Sequence, residues 1–105
     1  MTGILSGNLL AVGVASVALS PAIVAANTSA EQTFAVPGVK VGDFVDINKP
    51  TAQVGLVIGS CRVSAPNTIA ITFGNFTIAG ITPTAAEIYL VRYARPESVQ
   101  GGVSA

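Results

Sequence analysis

The chain contains no histidine and a single cysteine, Cys61. Without histidine, neither a Ser-His nor a Cys-His nucleophilic device can form. A lone cysteine also excludes an intramolecular disulfide and a metal site built from cysteines, so we expect Cys61 to be a small buried apolar residue in a strand. The sequence predicts no catalytic, cofactor-binding or metal-binding residue, and no cofactor.

Charge is equally scarce. Charged residues make up 10% of the chain, five basic and five acidic, for a net charge of zero, whereas ordinary soluble domains are roughly 25% charged. Neither sign forms a run, and the phosphate-tracking basic stripe of nucleic-acid binders is missing. The composition therefore argues against nucleic acid as a partner and favours a neutral surface packed against other proteins.

The sequence also lacks any run of about ten residues with the 3.6-residue period of an amphipathic helix. Short β-branched segments separated by turn signals take its place. This pattern predicts an all-β protein: a single antiparallel β-sandwich or jelly roll with an extended N-terminal arm. The predicted organisation is an arm or first strand over residues 1–21, the sandwich over 22–95 and a flexible tail over 96–105.

Residues 4–26 carry no charge. A secretion signal requires a positive segment at its start, but the first basic residue is Lys40. Serines, glycines and Pro21 interrupt the run, which is unfavourable for a membrane-spanning helix. We therefore favour an arm or strand pair buried in an assembly, with a membrane or signal segment as the alternative. Residues 9–19 are apolar on both faces, which is typical of a central or interface-covered strand.

The central stretch of the chain, residues 31–50, predicts two short strands over 32–36 and 43–48. Between them, Pro37 followed by Gly38 has the signature of a type II turn. We expect the inner faces to be set by alternating apolar residues, with the first of them as the core anchor: Phe34, Val36, Val45 and Ile47. A further short strand is predicted over residues 22–26.

Three more strands are predicted over residues 53–64, 69–73 and 87–94, the first two joined as a hairpin by a turn at 65–68. Glycines inside the first of these strands, Gly55 and Gly59, predict a bulge or a close backbone approach. Strict alternation in it would give one face with Val57, Cys61 and Val63 and an opposite face with Leu56, Ile58 and Arg62. In the last strand it would give one face with Tyr89, Val91 and Tyr93 and an opposite face with Ile88, Leu90 and Arg92.

The acidic residues have the wrong spacing for acid/base catalysis. Asp43 and Asp46 are three apart on a predicted strand and should point to opposite faces. We expect Glu31 and Asp43 to form cross-strand pairs with Lys40 or Lys49. Activation of Ser60 by one of these lysines would require the fold to bring the two together, so an enzyme is the weakest interpretation.

Three segments carry a resemblance to a known family. These are ANTSAEQTFAVPGVKVGDFVDINKPTAQ, RVSAPNTIAITFGN and ITPTAAEIYLV. These segments resemble small virion structural proteins of tailed bacteriophages, over roughly residues 22–91. The resemblance rests on stretches of similar sequence and includes no active-site motif.

The resemblance implies a capsid decoration, cement or head-fibre protein, located on the capsid surface of the virion. Its implied partners are the major capsid protein and further copies of itself. Trimers are favoured because capsids offer three-fold sites, and dimers are the other option. Neither nucleic acid nor a membrane is an expected partner. The alternative function is a tail or fibre module that binds a host receptor or glycan through exposed aromatic residues such as Phe76 and Tyr93.

Overall fold

Six β-strands form two antiparallel sheets in the computed structural model, which describes residues 9–96. The strands are β1 (Leu9–Leu19), β2 (Thr28–Ala35), β3 (Phe44–Asn48), β4 (Leu56–Ala65), β5 (Thr68–Asn75) and β6 (Glu87–Pro96). One sheet has the order β1-β6-β3 and the other β2-β5-β4. The predicted all-β, antiparallel fold is confirmed, and the arrangement is compatible with a small β-sandwich.

The predicted terminal segments fall only partly within the described residues. Within the predicted arm or first strand, residues 9–19 form the strand β1, and Pro96, assigned to the tail, is the last residue of β6. Residues 1–8 and 97–105 lie outside the described part of the chain.

The inner faces of the two sheets supply a single hydrophobic core. Its largest fully buried side chains are Tyr89 on β6 and Phe73 on β5. Phe34, the predicted anchor, faces inward from β2 but is only half-buried beside this cluster. The anchor prediction was wrong because β2 is an edge strand, whereas β5 and β6 are covered by a neighbour on each side.

Strand β6 lies at the centre of the first sheet. Its inward side chains include Tyr89 and Val91, and the predicted division of its two faces is confirmed. β3 lies antiparallel beside it with Ile47 opposite Val91, so Val45 and Ile47 also face the core as expected. The connection from β5 enters β6 through a turn at Ala86, with φ of 56°.

Strand β1 forms the edge of this sheet and pairs with β6 along nearly its whole length. Of the two predicted positions for this strand, central or interface-covered, the central one is wrong, and the interface-covered one stays a prediction. Gly13 lies opposite Tyr93, and a Cβ atom at that glycine would lie 2.6 Å from the Tyr93 hydroxyl oxygen. The absence of a side chain at Gly13 leaves the space that the Tyr93 ring occupies.

The predicted bulge in β4 is confirmed, and it overturns the face assignment for that strand. The register with β5 shifts between Ile58 and Ser60, at Gly59. One extra residue reverses the alternation from that point onward. Leu56 and Ile58 before the bulge therefore face inward, and so do Cys61 and Val63 after it.

Residues 31–50 do contain two strands, but β2 and β3 belong to different sheets. The connector crosses from one sheet to the other, turning at Gly38 with φ of 102° as the turn signal predicts. It is held to the β4–β5 hairpin turn, where the Asn67 backbone accepts from Val36 N at 2.9 Å and donates to Val39 O at 2.9 Å. The predicted hairpin at residues 65–68 is confirmed, and its turn anchors the connector.

Residues 22–26 do not form the predicted strand. Only Val24 pairs, through an antiparallel bridge to Ile81. Buried Asn75 fixes this region: its amide donates to Val24 O at 3.0 Å and to Ala79 O at 2.8 Å. Its carbonyl oxygen accepts from the backbone N–H of Thr77 at 2.8 Å. The segment is thus held by a side chain distant in sequence, which no local pattern can predict.

Candidate interaction surface

The outward side of the β1-β6-β3 sheet is a mostly apolar surface, which we call the apolar outer face. It is built from alternate residues of three neighbouring strands. Its large apolar side chains are 40–68% exposed: Leu9, Leu10, Val12, Val14, Phe44, Ile88 and Leu90. Ser16, Ala18 and Ala94 complete it with small groups.

Two features of the sequence produce this face. β1 is apolar at both parities of its alternation, so burying Val17 and Leu19 inward necessarily directs Val12 and Val14 outward. In β6 the outward positions include Ile88 and Leu90, which a solvated sheet would fill with polar residues. The face is therefore apolar by sequence and does not arise from a strained or irregular local conformation.

The charges on this face neutralise each other. Arg92 on β6 lies opposite Asp46 on β3, and Arg92 Nε donates to Asp46 Oδ2 at 3.1 Å. Both side chains are well exposed, so the pair contributes little to stability, at most about 1 kcal/mol. Its main effect is to leave the face without net charge.

The outward side of the other sheet is polar. Exposed residues there include Glu31, Thr33 and Ser60. Arg62 donates two hydrogen bonds of 2.9 Å to the Glu31 carboxylate. These bonds hold the pKa of Glu31 below its ordinary value. The outward sides of the two described sheets thus differ in chemistry: the β1-β6-β3 side is mostly apolar, and the other side is mostly polar apart from Val57.

The ion pairs expected with lysine partners were predicted wrongly. Glu31 pairs with Arg62, and Asp43 pairs with Arg95, whose Nε donates to Oδ1 at 2.8 Å. The Asp43 side chain is almost wholly buried. The hydrogen bonds from Arg95, with one from the Lys40 backbone N–H, lower the pKa of Asp43. Lys40 therefore contributes its backbone to Asp43, and its side chain is not the ion-pair partner.

Lys49 pairs instead with Glu87, at 3.0 Å between Nζ and Oε1. The Thr51 hydroxyl also donates to Glu87, and Lys49 donates to Thr51 O at 2.8 Å. The Thr51 hydrogen bond, assisted by Lys49, lowers the pKa of Glu87. This buried cluster joins the segment after β3 to the start of β6, which is a structural role.

Within residues 9–96, the fold does not bring the acidic residues, Ser60 or Cys61 together in a catalytic arrangement. Asp43 and Asp46 are each held by a different arginine. Ser60 is exposed on the outer side of β4, whereas Cys61 faces inward. Burial raises the pKa of the Cys61 thiol to about 11, so the thiolate needed for reactivity is scarce at neutral pH.

A second feature is a shallow groove of about 570 Å³ on the polar side. The β4 bulge and strand ends line it with glycine, hydroxyl and amide groups and one apolar side chain: Asn27, Thr28, Ser29, Val57, Gly59, Thr72, Gly74 and Asn75. Phe76 stands at its rim and is 75% exposed. Tyr93, the other aromatic residue expected to be exposed, faces inward against Gly13 and is half-buried.

Sequence reasoning identified the two faces of β6 but missed the surface itself. The alternation placed Phe44 apart from Val45, and Ile88 and Leu90 apart from Tyr89. What it lacked was the neighbour relation of β1, β6 and β3, which joins three separate apolar stripes. The excess of apolar residues on both faces of β1 was the available signal.

Residues 9–96 contain no helix with the length and apolar character needed to cross a membrane. The same residues contain no group of three or more acidic, cysteine or histidine side chains placed to hold a metal ion. Comparison with protein-family models, with curated proteins and with solved structures found no match to this chain.

Proposed function

We propose that this chain is a non-enzymatic structural protein of a tailed-phage virion, a decoration protein that binds the outer surface of the head and stabilises it. The observation that carries the proposal is the apolar outer face of the β1-β6-β3 sheet. Its seven large apolar residues are 40–68% exposed and lie on three neighbouring strands, and large exposed apolar patches mark interaction sites. A face of this kind is expected to be covered by another protein.

The apolar character of this face is compatible with binding to the head of a particle. A decoration protein must seal seams between capsid subunits, where burying apolar surface stabilises by roughly 25 cal/mol per Å² before association costs. With zero net charge, the chain would approach a capsid of either sign without strong repulsion. The resemblance of residues 22–91 to virion proteins supports the same role. The proposed partners are the major capsid protein and further copies of this chain.

The test is attachment of purified full-length protein to heads that lack it. The substitution Leu90→Lys places a charge at the centre of the apolar outer face, and we expect the copies bound per particle to fall at least tenfold. Thr33→Lys, an equally exposed change on the polar side, is the matched control and should leave attachment intact. Bound copies are counted by co-sedimentation and quantitative gels, with thermal melts to verify folding. Equal attachment of both variants would reject the face as the capsid contact.

The groove beside Phe76 favours a second candidate function: a tail or fibre module that binds a glycan. An exposed aromatic ring can stack on the apolar side of a sugar, while the groove's hydroxyl and amide groups can hydrogen-bond its hydroxyls. A glycan array with the full chain tests this, with Phe76→Ala expected to abolish any signal. Ile78→Ala, at a 92% exposed apolar residue nearby, is the control and should retain it. Absence of any glycan signal would reject this candidate.

A further inference from the structure

The two sheets have four edge strands, and three of them carry features that block pairing with another chain. β4 has two register irregularities and the charged residue Arg62. β3 is only five residues long, contains Asp46 and is followed closely by Pro50. β2 carries Glu31 among mostly polar residues. Natural proteins use these same devices to keep sheet edges from joining.

The fourth edge strand, β1, has a single irregularity at its first residues and otherwise none of this protection. It is eleven residues long and contains neither a charged residue nor a proline. Its pairing with β6 is regular from Ala11 to Leu19. Within residues 9–96 no strand pairs with its outer edge, and a long, regular, apolar edge of this kind is a template for another strand.

We propose that β1 pairs antiparallel with β1 of a second copy of this chain, joining two three-stranded sheets into one six-stranded sheet. In this dimer Val14 lies on the two-fold axis, opposite Val14 of the partner subunit. This goes beyond the capsid role, since it assigns a self-association site to the free edge of β1.

The register follows from two requirements. A two-fold axis perpendicular to the sheet keeps the outer faces of both copies on the same side, so an outward residue must lie opposite an outward residue. Overlap of residues 10–18, which leaves out the irregular first position of β1 and the inward Leu19, then places Leu10 opposite Ala18 of the partner subunit, both outward. Both conditions are met only when the axis passes through Val14.

The contacts in this register are compatible. On the outer side Val12 would lie opposite Ser16 of the partner subunit, and on the inner side Gly13 would lie opposite Ala15 of the partner subunit. Every paired position is uncharged, so no like charges meet across the edge. A second copy therefore fits residues 10–18 of β1 without any adjustment of sequence.

The area fits a weakly associating dimer. At about 3.4 Å per residue, residues 10–18 offer an edge about 31 Å long. Pairing along it, with side chains on both faces, gives a small interface of the class below roughly 1,200 Å² in total, which is typical of weak association. The joined sheet would also unite the apolar outer faces of both copies. The interface gives a two-fold dimer, whereas three-fold capsid sites had favoured a trimer.

Cysteine cross-linking of the full chain tests the register. Opposite residues of paired strands have Cα atoms about 4.5–5.5 Å apart, within disulfide range. Val14→Cys should therefore give a covalent dimer on mild oxidation. Val12→Cys is the matched control: the two substituted positions would lie about 14 Å apart along the strands and should not cross-link. Wild type, with Cys61 alone, should also stay uncrosslinked.

Sedimentation of the purified protein tests the interface itself. Wild type should be a dimer at tens of micromolar. Val14→Lys should make it a monomer by placing two like charges together on the axis. Ile88→Lys, on the central strand of the same face, should remain dimeric. The proposal would be overturned by a monomeric wild type, or by a Val12→Cys variant that cross-links when Val14→Cys does not. It would also be overturned if Ile88→Lys and Val14→Lys dissociate the dimer equally, which would indicate that two copies associate through their apolar outer faces.

These experiments need no capsid and so separate this inference from the proposed function. A monomer that still attaches to heads would remove only the β1 dimer. A dimer that does not attach would remove only the capsid role. A closed trimer would also overturn the edge pairing, because a two-fold edge contact cannot generate it.

Discussion

The Asp43 carboxylate shows how the fold positions a single charged residue. Its side chain is 1% exposed, and its oxygens accept from Arg95 and from the Lys40 backbone. Arg95 also donates to Gly38 O at 2.9 Å. One ion pair therefore fastens the end of β6 to the connector that crosses between the sheets.

The interactions of the Asp43 and Glu87 carboxylates predict a loss of stability in acid. The pKa values of Asp43 and Glu87 are lowered in the folded state from ordinary values of 3.8 and 4.5. Between the folded and unfolded pKa values the unfolded chain binds more protons, so stability falls as the pH falls. We expect the melting temperature to decrease below about pH 4.5 and to be flat from pH 6 to 8.

Asp43→Asn is the matched variant for that titration. It should melt below wild type at pH 7, because Arg95 loses its charged partner, and the difference should shrink as the pH falls below the ordinary value of 3.8 and protons are taken up by the unfolded wild-type chain. Melting curves followed by circular dichroism across this range provide the measurement. A constant difference at all pH values would show that Asp43 does not stabilise through its charge.

Cys61 provides a second prediction at the residue scale. Burial, with a smaller effect of Asp46, raises the pKa of its thiol to about 11. At pH 8 the thiolate fraction should be roughly 100-fold below that of an unperturbed cysteine, since the thiolate is the reacting species. Labelling with iodoacetamide should therefore be slow in buffer and fast in guanidinium chloride. Fast labelling of the native protein would place the thiol at the surface.

Among the strands, β4 is the one in which the faces predicted from local alternation differ from those in the tertiary structure. The glycine signal correctly predicted an irregularity, but alternation was then read straight through it. Because the bulge at Gly59 adds one residue, Cys61 and Val63 share the inner face with Leu56 and Ile58. β6 has no such insertion, and its faces were predicted correctly. Alternation is thus reliable only between bulges.

The contact between β1 and β6 at Gly13 gives a prediction for the element. An added Cβ would lie within 2.8 Å of three Tyr93 ring and hydroxyl atoms, so Gly13→Ala must shift a packed ring. We expect a cost of about 1–3 kcal/mol, as for overpacking of a core. Gly59→Ala is the control, since its Cβ would meet only ordinary contacts at 3.7 Å. Urea unfolding of both variants tests this; equal stabilities would show that Tyr93 moves freely.

At the scale of the whole molecule, the two ends of the described chain pair with each other. Leu19 lies opposite Glu87 and Leu9 opposite Pro96, so β1 covers the whole length of β6. β1 also contributes Val17 and Leu19 to the core. The first strand is consequently part of the sandwich and cannot be treated as a detachable arm.

Two deletions distinguish these roles. Removing residues 1–21 takes away β1 and uncovers Tyr89 and Val91, so we expect the product to lose cooperative unfolding. Removing residues 1–8 leaves every described strand in place and should change the melting temperature by only a few degrees. Circular dichroism and dispersion of amide signals in NMR spectra measure both. A cooperatively folded product lacking residues 1–21 would contradict the place of β1 in the core.

The sequence alone was sufficient to predict the all-β class, the β4–β5 hairpin, the Pro37-Gly38 turn and the faces of β6. Each of these depends on neighbours in sequence, through backbone preferences of proline and glycine and through two-residue alternation. The function class came only from the resemblance, and it stays a proposal.

Only the tertiary structure decided which strands are neighbours and which charges pair. β2 and β3 lie close in sequence yet enter different sheets, and Glu31 and Asp43 find arginines more than 30 residues away. Such pairings depend on packing across the whole chain, which no local pattern encodes. The apolar outer face and the unprotected edge of β1 exist only once β1, β6 and β3 are assembled side by side.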